Sequence, residues 1–286
     1  MSGRRLEYQL HLAFYLSTGP TEVGTLNTIA QAKRPVVSRI VNNLEPLILA
    51  IETATRAGNV ALVRGAEILS SASGNPAASH STDLIQTVES VLKSAGVRLS
   101  EVDLFAAALG PGSFTGLRIG LATIKSFAVC TGKSCAGAST LAAIAHAAGA
   151  AEHTVSLLPA GRGELFAQMF SVDEGQVREL DTAAHLSPNA MLERYGEEGE
   201  LVWAGEGAHV HAEALRAWAQ ARNISFDDSS LGRTAWSLAP LTNQLAISIA
   251  AMTRDAYRAG NTVGPNELRA LYVRASDAEI NEKCTK

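Results

Sequence analysis

The chain has 286 residues, 47% of them hydrophobic and 18% charged, with a formal net charge of −4. That length suffices for two domains and a sizeable core, which excludes dependence on a disulfide or structural metal and argues against a disordered main body. The slightly acidic balance excludes a surface that neutralises many phosphates unaided, so most of the positive field toward any nucleic acid is expected to come from a partner.

Residues 1–46 contain the turn-like Ser17-Thr18-Gly19-Pro20 and little periodicity, and are expected to form an N-terminal extension. Arg4 and Arg5 precede an apolar stretch broken by Glu7, Gln9 and His11, a poor fit to a signal peptide. No segment has the roughly eighteen uninterrupted apolar residues of a membrane helix, and a cytoplasmic location is expected. From Leu47 the pattern sharpens. The apolar run Leu47 to Ile51 reads as a buried strand, Asn59 to Val63 as a second and Glu67 to Ala72 as a third; connections this short make a meander and a mixed sheet. Leu84, Ile85, Val88, Val91 and Leu92 recur at helical spacing after His80, and Gly96 ends that helix. Leu104 to Leu109 is another buried strand, followed by a glycine-rich stretch and then an apolar helix from Leu121 to Val129. Ala136 to Ala138 form a short strand or turn, and Ser139-Thr140 cap an alanine-rich helix over 140–149.

The second half opens on a strand from Val155 to Leu158, broken by Pro159-Ala160-Gly161-Arg162-Gly163, with a further strand from Glu164 to Val172. Pro188 opens a helix, Glu200 to Ala204 is a strand, and helices are expected over 209–221 and 238–259. Leu268 to Val273 reads as a last strand or a docking segment. Both halves begin strand–turn–strand, which suggests a duplicated architecture. The expected division is an extension over 1–46, one lobe over 47–150 that binds partners, and a second over 151–286.

The segment Leu109-Gly110-Pro111-Gly112-Ser113-Phe114-Thr115-Gly116-Leu117-Arg118-Ile119-Gly120 carries the most information. It lies between a strand and a helix. Gly110 and Gly112 permit backbone conformations closed to other residues, Pro111 stiffens the turn, and Ser113 and Thr115 can cap the helix. Two readings stand: free N–H groups at the helix start that hold an anion, or a rigid corner whose Gly116 and Gly120 let elements approach closely. A Walker A loop is excluded, because Gly116 is followed by Leu117 and Arg118; a G-x-G-x-x-G fingerprint fails at Thr115.

Ile48-Leu49-Ala50-Ile51-Glu52-Thr53, His80-Ser81, the run from Gly110 to Gly120 and Arg162-Gly163-Glu164 together resemble the TsaB (YeaZ) family, closely over 47–172 and more weakly as far as Tyr272-Val273-Arg274. The resemblance implies the two-lobed ASKHA α/β fold of actin, Hsp70 and sugar kinases, with mixed sheets flanked by helices. It implies a non-catalytic subunit that pairs with the catalytic TsaD subunit and works with the ATPase TsaE. That complex transfers threonylcarbamoyl to N6 of adenosine 37 in tRNAs reading ANN codons. It implies no cofactor in this chain, ATP and metal belonging to the partners, and a helical face that also supports homodimers. The partner interface implied is His80, Leu84, Val88, Phe114, Thr115, Gly116, Leu117, Arg118, Gly120 and Leu121. Glu52, Thr53, Gly110, Gly112, Ser113 and Arg162 would mark a vestigial nucleotide site. Where the family commonly has Asp, this chain has Glu52 and Pro159, which removes acids from the would-be nucleotide cleft.

The catalytic sister subunit carries an H-x-x-x-H metal pair where this chain has His80 alone, and one imidazole cannot hold a metal that needs three protein ligands. His80-Ser81 reads as a helix cap or a partner contact. His146 and His153 lie across the helix-breaking Gly149, no local Cys or acid cluster completes a site at His209 and His211, and both pairs read as structural or surface residues. Cys130, Cys135 and Cys284 include no C-x-x-C pair and read as reduced thiols. Neither H-E-x-x-H nor G-x-S-x-G occurs. The competing reading is a free-standing ASKHA phosphotransferase, sugar- or acetate-kinase-like, which needs an intact phosphate-loop acid. On the scaffold reading, Gly120→Trp is expected to block pairing without unfolding the monomer.

Overall fold

The computed structural model of the chain describes residues 45–75, 80–227 and 235–273. The expected extension lies outside them except for Glu45 and Pro46, as do Cys284, Arg274 and the side chains of His80 and Ser81.

The first sheet has five strands. β1 (Leu47–Glu52) pairs antiparallel with β2 (Asn59–Arg64), and β2 antiparallel with β3 (Glu67–Ser73). On its other side β1 runs parallel to β4 (Leu104–Gly110), and β4 parallel to β5 (Ser134–Ser139). Helix α1 (His80–Ala95) leads from β3 toward β4, α2 (Phe114–Thr131) joins β4 to β5, and α3 (Thr140–Ala148) follows β5. The second sheet comprises β6 (Ala151–Gly161), β7 (Glu164–Asp173), β8 (Gln176–Glu179), β9 (Ala184–Leu186), β10 (Leu201–Ala204), β11 (Phe226–Asp227) and β12 (Trp236–Leu238). Its helices are α4 (Pro188–Tyr195), α5 (Glu206–Val210), α6 (Ala212–Ala221) and α7 (Leu245–Arg258). Set aside β9 and β11, and the order β8-β7-β6-β10-β12 repeats the order β3-β2-β1-β4-β5. The sequence hint of duplication is thus realised as two sheets on one plan, the two-lobed α/β architecture implied by the ASKHA resemblance.

The two sheets are interlocked by an exchange of helices. α3 follows the first sheet and packs chiefly on β6, β7, β8 and β10 of the second. α7 follows the second sheet and packs on β1, β2, β4 and β5 of the first, and the two helices pack on each other. This explains why β1 is apolar without alternation. Leu47, Leu49 and Ile51 face α1 and α2, joining Leu84, Val88, Leu121 and Ile124, while Ile48 and Ala50 join Leu245, Ala246 and Ile249 beneath α7. A strand covered on both faces gains from apolar residues at every position. On the outer face of the second sheet Trp203 and Trp236 meet edge to face, ring centroids 5.0 Å apart, a contact worth about 0.5–1.5 kcal/mol beyond burial.

Several boundaries differ from expectation. α2 begins at Phe114, not Leu121, because Ser113 caps it directly after the glycines. β6 runs through Pro159 to Gly161. It is tolerated there because β10 pairs with β6 only from Thr154 to Ser156, leaving one side of β6 unpaired beyond that point. The helix expected over 209–221 is two helices divided at His211, and that expected over 238–259 begins at Leu245 after the unforeseen strand β12. Leu268 to Val273 form no strand but dock: Leu268 is buried, and Leu271 N–H donates to the Leu109 carbonyl at 2.7 Å. Among the described residues no helix is long and apolar enough to cross a membrane.

Candidate functional site

The site is built where β1, β4 and α2 converge. β1 delivers Glu52, Thr53 and Ala54, all buried, and the glycine segment folds over them. Gly110 and Gly112 have φ of +110° and +154°. A Cβ on Gly112 would stand 2.6 Å from the Ala54 carbonyl, and one on Gly110 would stand 2.6 Å from the Leu271 carbonyl. Only glycine fits both the conformation and the space. Ser113 N–H donates to the Ala54 carbonyl at 2.8 Å, and Ser113 Oγ accepts from Gly116 N–H at 3.2 Å. Thus one donor at the helix start is used by its own cap and another by β1. One turn on, a Cβ on Gly120 would lie 2.2 Å from Thr53 Oγ1. The glycines therefore serve close approach within the chain, the corner reading of the two the sequence left open.

This revises the expected partner residues. The side chains of Leu84, Val88, Leu117 and Leu121 face the chain's own core, and Gly116 and Gly120 are buried with them. Gly120→Trp would drive an indole into Thr53, and the expectation that the monomer tolerates it is withdrawn. The outward face of α2 lies beside the small-residue stripe and carries Thr115, Arg118, Ala122, Ser126 and Val129, all exposed at three- and four-residue spacing. Val129 is 66% exposed, and Ile85 on α1, which packs beside α2, is 55% exposed. The half-buried Phe114 joins this face to the tail. Its ring lies 5.3 Å from that of Tyr272, and the Arg118 guanidinium sits 3.9 Å above it. Cation–π contact holds an exposed arginine in one place, worth about 0.5–1 kcal/mol at such a site. The sequence marks Tyr272 only as part of the weaker end of the resemblance, since nothing local relates it to Phe114.

The expected vestigial nucleotide residues divide. Glu52, Thr53, Gly110, Gly112 and Ser113 come together at the corner, whereas Arg162 stands on the β6–β7 turn at φ +54°. The Glu52 carboxylate accepts from Thr55 N–H at 2.7 Å and from Thr55 Oγ1–H at 2.6 Å, one bond to each oxygen. It acts as the brace of the β1–β2 turn. Next to that turn, between the sheets, lies a cavity of about 250 Å³ with aliphatic walls from Ile144, Leu158, Ala204 and Leu245, and Arg56 and Glu206 at its rim. Thr55, Thr242 and Asn243 add polar groups to the cavity lining. Among the described residues no group of three or more His, Cys, Asp or Glu stands where it could hold a metal. Asn59, unremarked in sequence, accepts from Ala246 N–H at 2.9 Å and so ties β2 to the first turn of α7.

Cys135, His209 and His146 are engaged within the fold. Cys135 is buried on β5 and its thiol is pushed up to about 11 by burial, against the opposing charge of Lys125, so it stays protonated and inert. His209 Nε2 lies 2.9 Å from the Ala239 carbonyl, and His146 Nδ1 lies 3.2 Å from Ser248 Oγ.

Residues 69–274 match the family described as TsaD: tRNA N6-adenosine threonylcarbamoyltransferase. The tRNA threonylcarbamoyladenosine biosynthesis protein TsaB of Escherichia coli is 32% identical over 165 residues, 56% of this chain and 71% of that protein. Its Haemophilus influenzae namesake is 30% identical over 122 residues, 42% of this chain and 51% of that protein. Among solved structures, YeaZ from Pseudomonas aeruginosa superposes with a TM-score of 0.62 at 25% identity, covering 79% of this chain and 99% of that one.

Proposed function

The chain belongs to the TsaB (YeaZ) family, and on that premise we propose that it is a cytoplasmic, non-catalytic scaffold in the formation of N6-threonylcarbamoyladenosine at position 37 of tRNAs reading ANN codons. It pairs with the catalytic TsaD subunit and works beside the ATPase TsaE, and ATP and metal are bound by those partners. Residues 47–150 form the lobe that docks, and residues 151–286 the lobe behind it.

The observation that supports the scaffold reading best is the two-faced α2. One face is locked to β1 by Gly120 and Thr53, and the other presents Thr115, Arg118, Ala122, Ser126 and Val129 to solvent next to Ile85 of α1. A rigid helix with a small-residue, partly apolar outer stripe suits helix-against-helix docking. The same stripe would serve a second copy, so homodimer and TsaD pairing compete for it. The brace role of Glu52 supports the non-catalytic half of the reading.

Arg118→Glu is expected to weaken the complex with TsaD about tenfold, or ~1.4 kcal/mol, with melting unchanged, because Arg118 is exposed and stacks on the half-buried Phe114 at the surface. Titration calorimetry with purified TsaD measures this, and an unchanged Kd would remove α2 from the interface. The family description as a transferase favours a second reading, in which this chain itself transfers the threonylcarbamoyl group. Incubating the isolated chain with threonylcarbamoyl-adenylate and unmodified tRNA separates the two. The scaffold yields no modified adenosine until TsaD is added, and product from the chain alone overturns it. Micromolar binding of Mg-ATP with hydrolysis by the isolated chain would instead support a phosphotransferase.

A further inference from the structure

The seam between the two sheets is α3 against α7, and one imidazole lies in it. His146, half-buried in the last turn of α3, has Nδ1 3.2 Å from Oγ of the buried Ser248 on α7. On the other side of the ring, a Cβ placed on Gly175 in the β7–β8 turn would stand 3.8 Å from Nε2. The ring is thus bonded to α7 and lies near the β7–β8 turn. α3 carries no other ionisable side chain.

Charged groups surround the seam on the other elements. On α7, Arg254 donates to the Gly65 carbonyl of the β2–β3 turn at 3.1 Å and lies 3.4 Å from Asp255 Oδ1. Arg258 lies 3.5 Å from the same oxygen and also pairs with Glu45. Asp255 Oδ2 accepts from Gln176 Nε2 at 2.8 Å, a direct polar tie between α7 and β8. Asp173 and Glu174 precede Gly175 in the turn, and Arg178 and Glu179 follow on β8.

We propose that His146 is a proton-operated latch: neutral, it holds α3 on α7; protonated, it loosens that seam. Three features of the geometry favour the neutral ring. Burial removes water from an imidazolium, Arg254 repels it, and the acid that opposes them, Asp255, already has its oxygens engaged by Arg254, Arg258 and Gln176. Burial first and Arg254 second hold His146 below the usual histidine value, with Asp255 opposing. The folded chain therefore binds fewer protons than the unfolded one just below about pH 6.5. The latch's stabilisation is complete above that value and is lost as the pH falls toward the depressed folded-state value. The latch does not depend on the partner assignment above.

Hydrogen–deuterium exchange of the full chain at pH 7.5 and 5.5, corrected for intrinsic rates, tests it. In the wild type, α3 and α7 amides are expected to gain roughly tenfold in exchange at the lower pH, the sign of sub-global opening. His146→Gln, which keeps a hydrogen-bonding group and cannot charge, is expected to show no such gain. Ser248→Ala is expected to exchange faster along the seam at both pH values. Equal acid responses in wild type and His146→Gln, a gain spread evenly over β1 and β6, or wild-type exchange in Ser248→Ala at pH 7.5 would each overturn the latch.

Discussion

Two strand-to-helix corners occupy equivalent places in the two sheets, and they behave differently. After β4 the chain turns through Gly110-Pro111-Gly112 into α2, which runs for 18 residues; after β10 it turns at Gly205 into α5, which opens on Glu206-Gly207 and runs for five. Both corners need glycine for the same reason. A Cβ on Gly205, at φ +91°, would stand 2.5 Å from the Leu157 carbonyl, much as Gly112 meets Ala54. What separates them is the cap. Ser113 Oγ satisfies Gly116 N–H, whereas α5 has no side-chain cap and breaks at His211. A glycine pair makes room for a helix; a cap and a continuous run of helix formers decide how far it projects. Only the first corner carries a helix long enough to offer an outer face to another protein.

That contrast can be broken at its tightest point first. Gly120→Trp is expected to cost about 3 kcal/mol or more, since the side chain has only Thr53 to displace. Urea unfolding measures it, and a wild-type midpoint would mean that α2 lifts from β1 freely. Gly205→Val is expected to cost about 2 kcal/mol, through strain at positive φ and the Leu157 contact, without changing affinity for TsaD. If it weakens that complex as Arg118→Glu does, the second corner is also part of the docking surface. Ser113→Ala removes the cap that distinguishes the corners and is expected to cost about 1 kcal/mol, with faster exchange confined to the first turn of α2. A loss below about 0.3 kcal/mol would show that the Ala54 and Thr53 packing alone fixes the helix start.

Much of this was legible along the chain. β1 to β4 read correctly because apolar runs and short turns are local signals, whereas β5 was left open between a strand and a turn. Ser139, Pro188 and Gly96 mark helix boundaries in the same way. The side to which Gly116 and Gly120 point was misjudged. Small residues at helical spacing look alike whether they meet a partner or the chain's own β1, and Thr53 lies 67 positions before Gly120. α5 and α6 read as one helix because His211, the break between them, has no strong local penalty. β12 was missed because three residues carry too little pattern to register.

The sequence alone determined the alternation of strands and helices, the glycine corner and the resemblance that identifies the family, since each rests on residues within a few positions of one another. Only the tertiary structure decided which face of α2 is free, that Glu52 braces a turn, and that α3 and α7 change sheets and trap His146 between them. Those outcomes depend on contacts between residues far apart in the chain, where packing and the surrounding dielectric, not local preference, set the result.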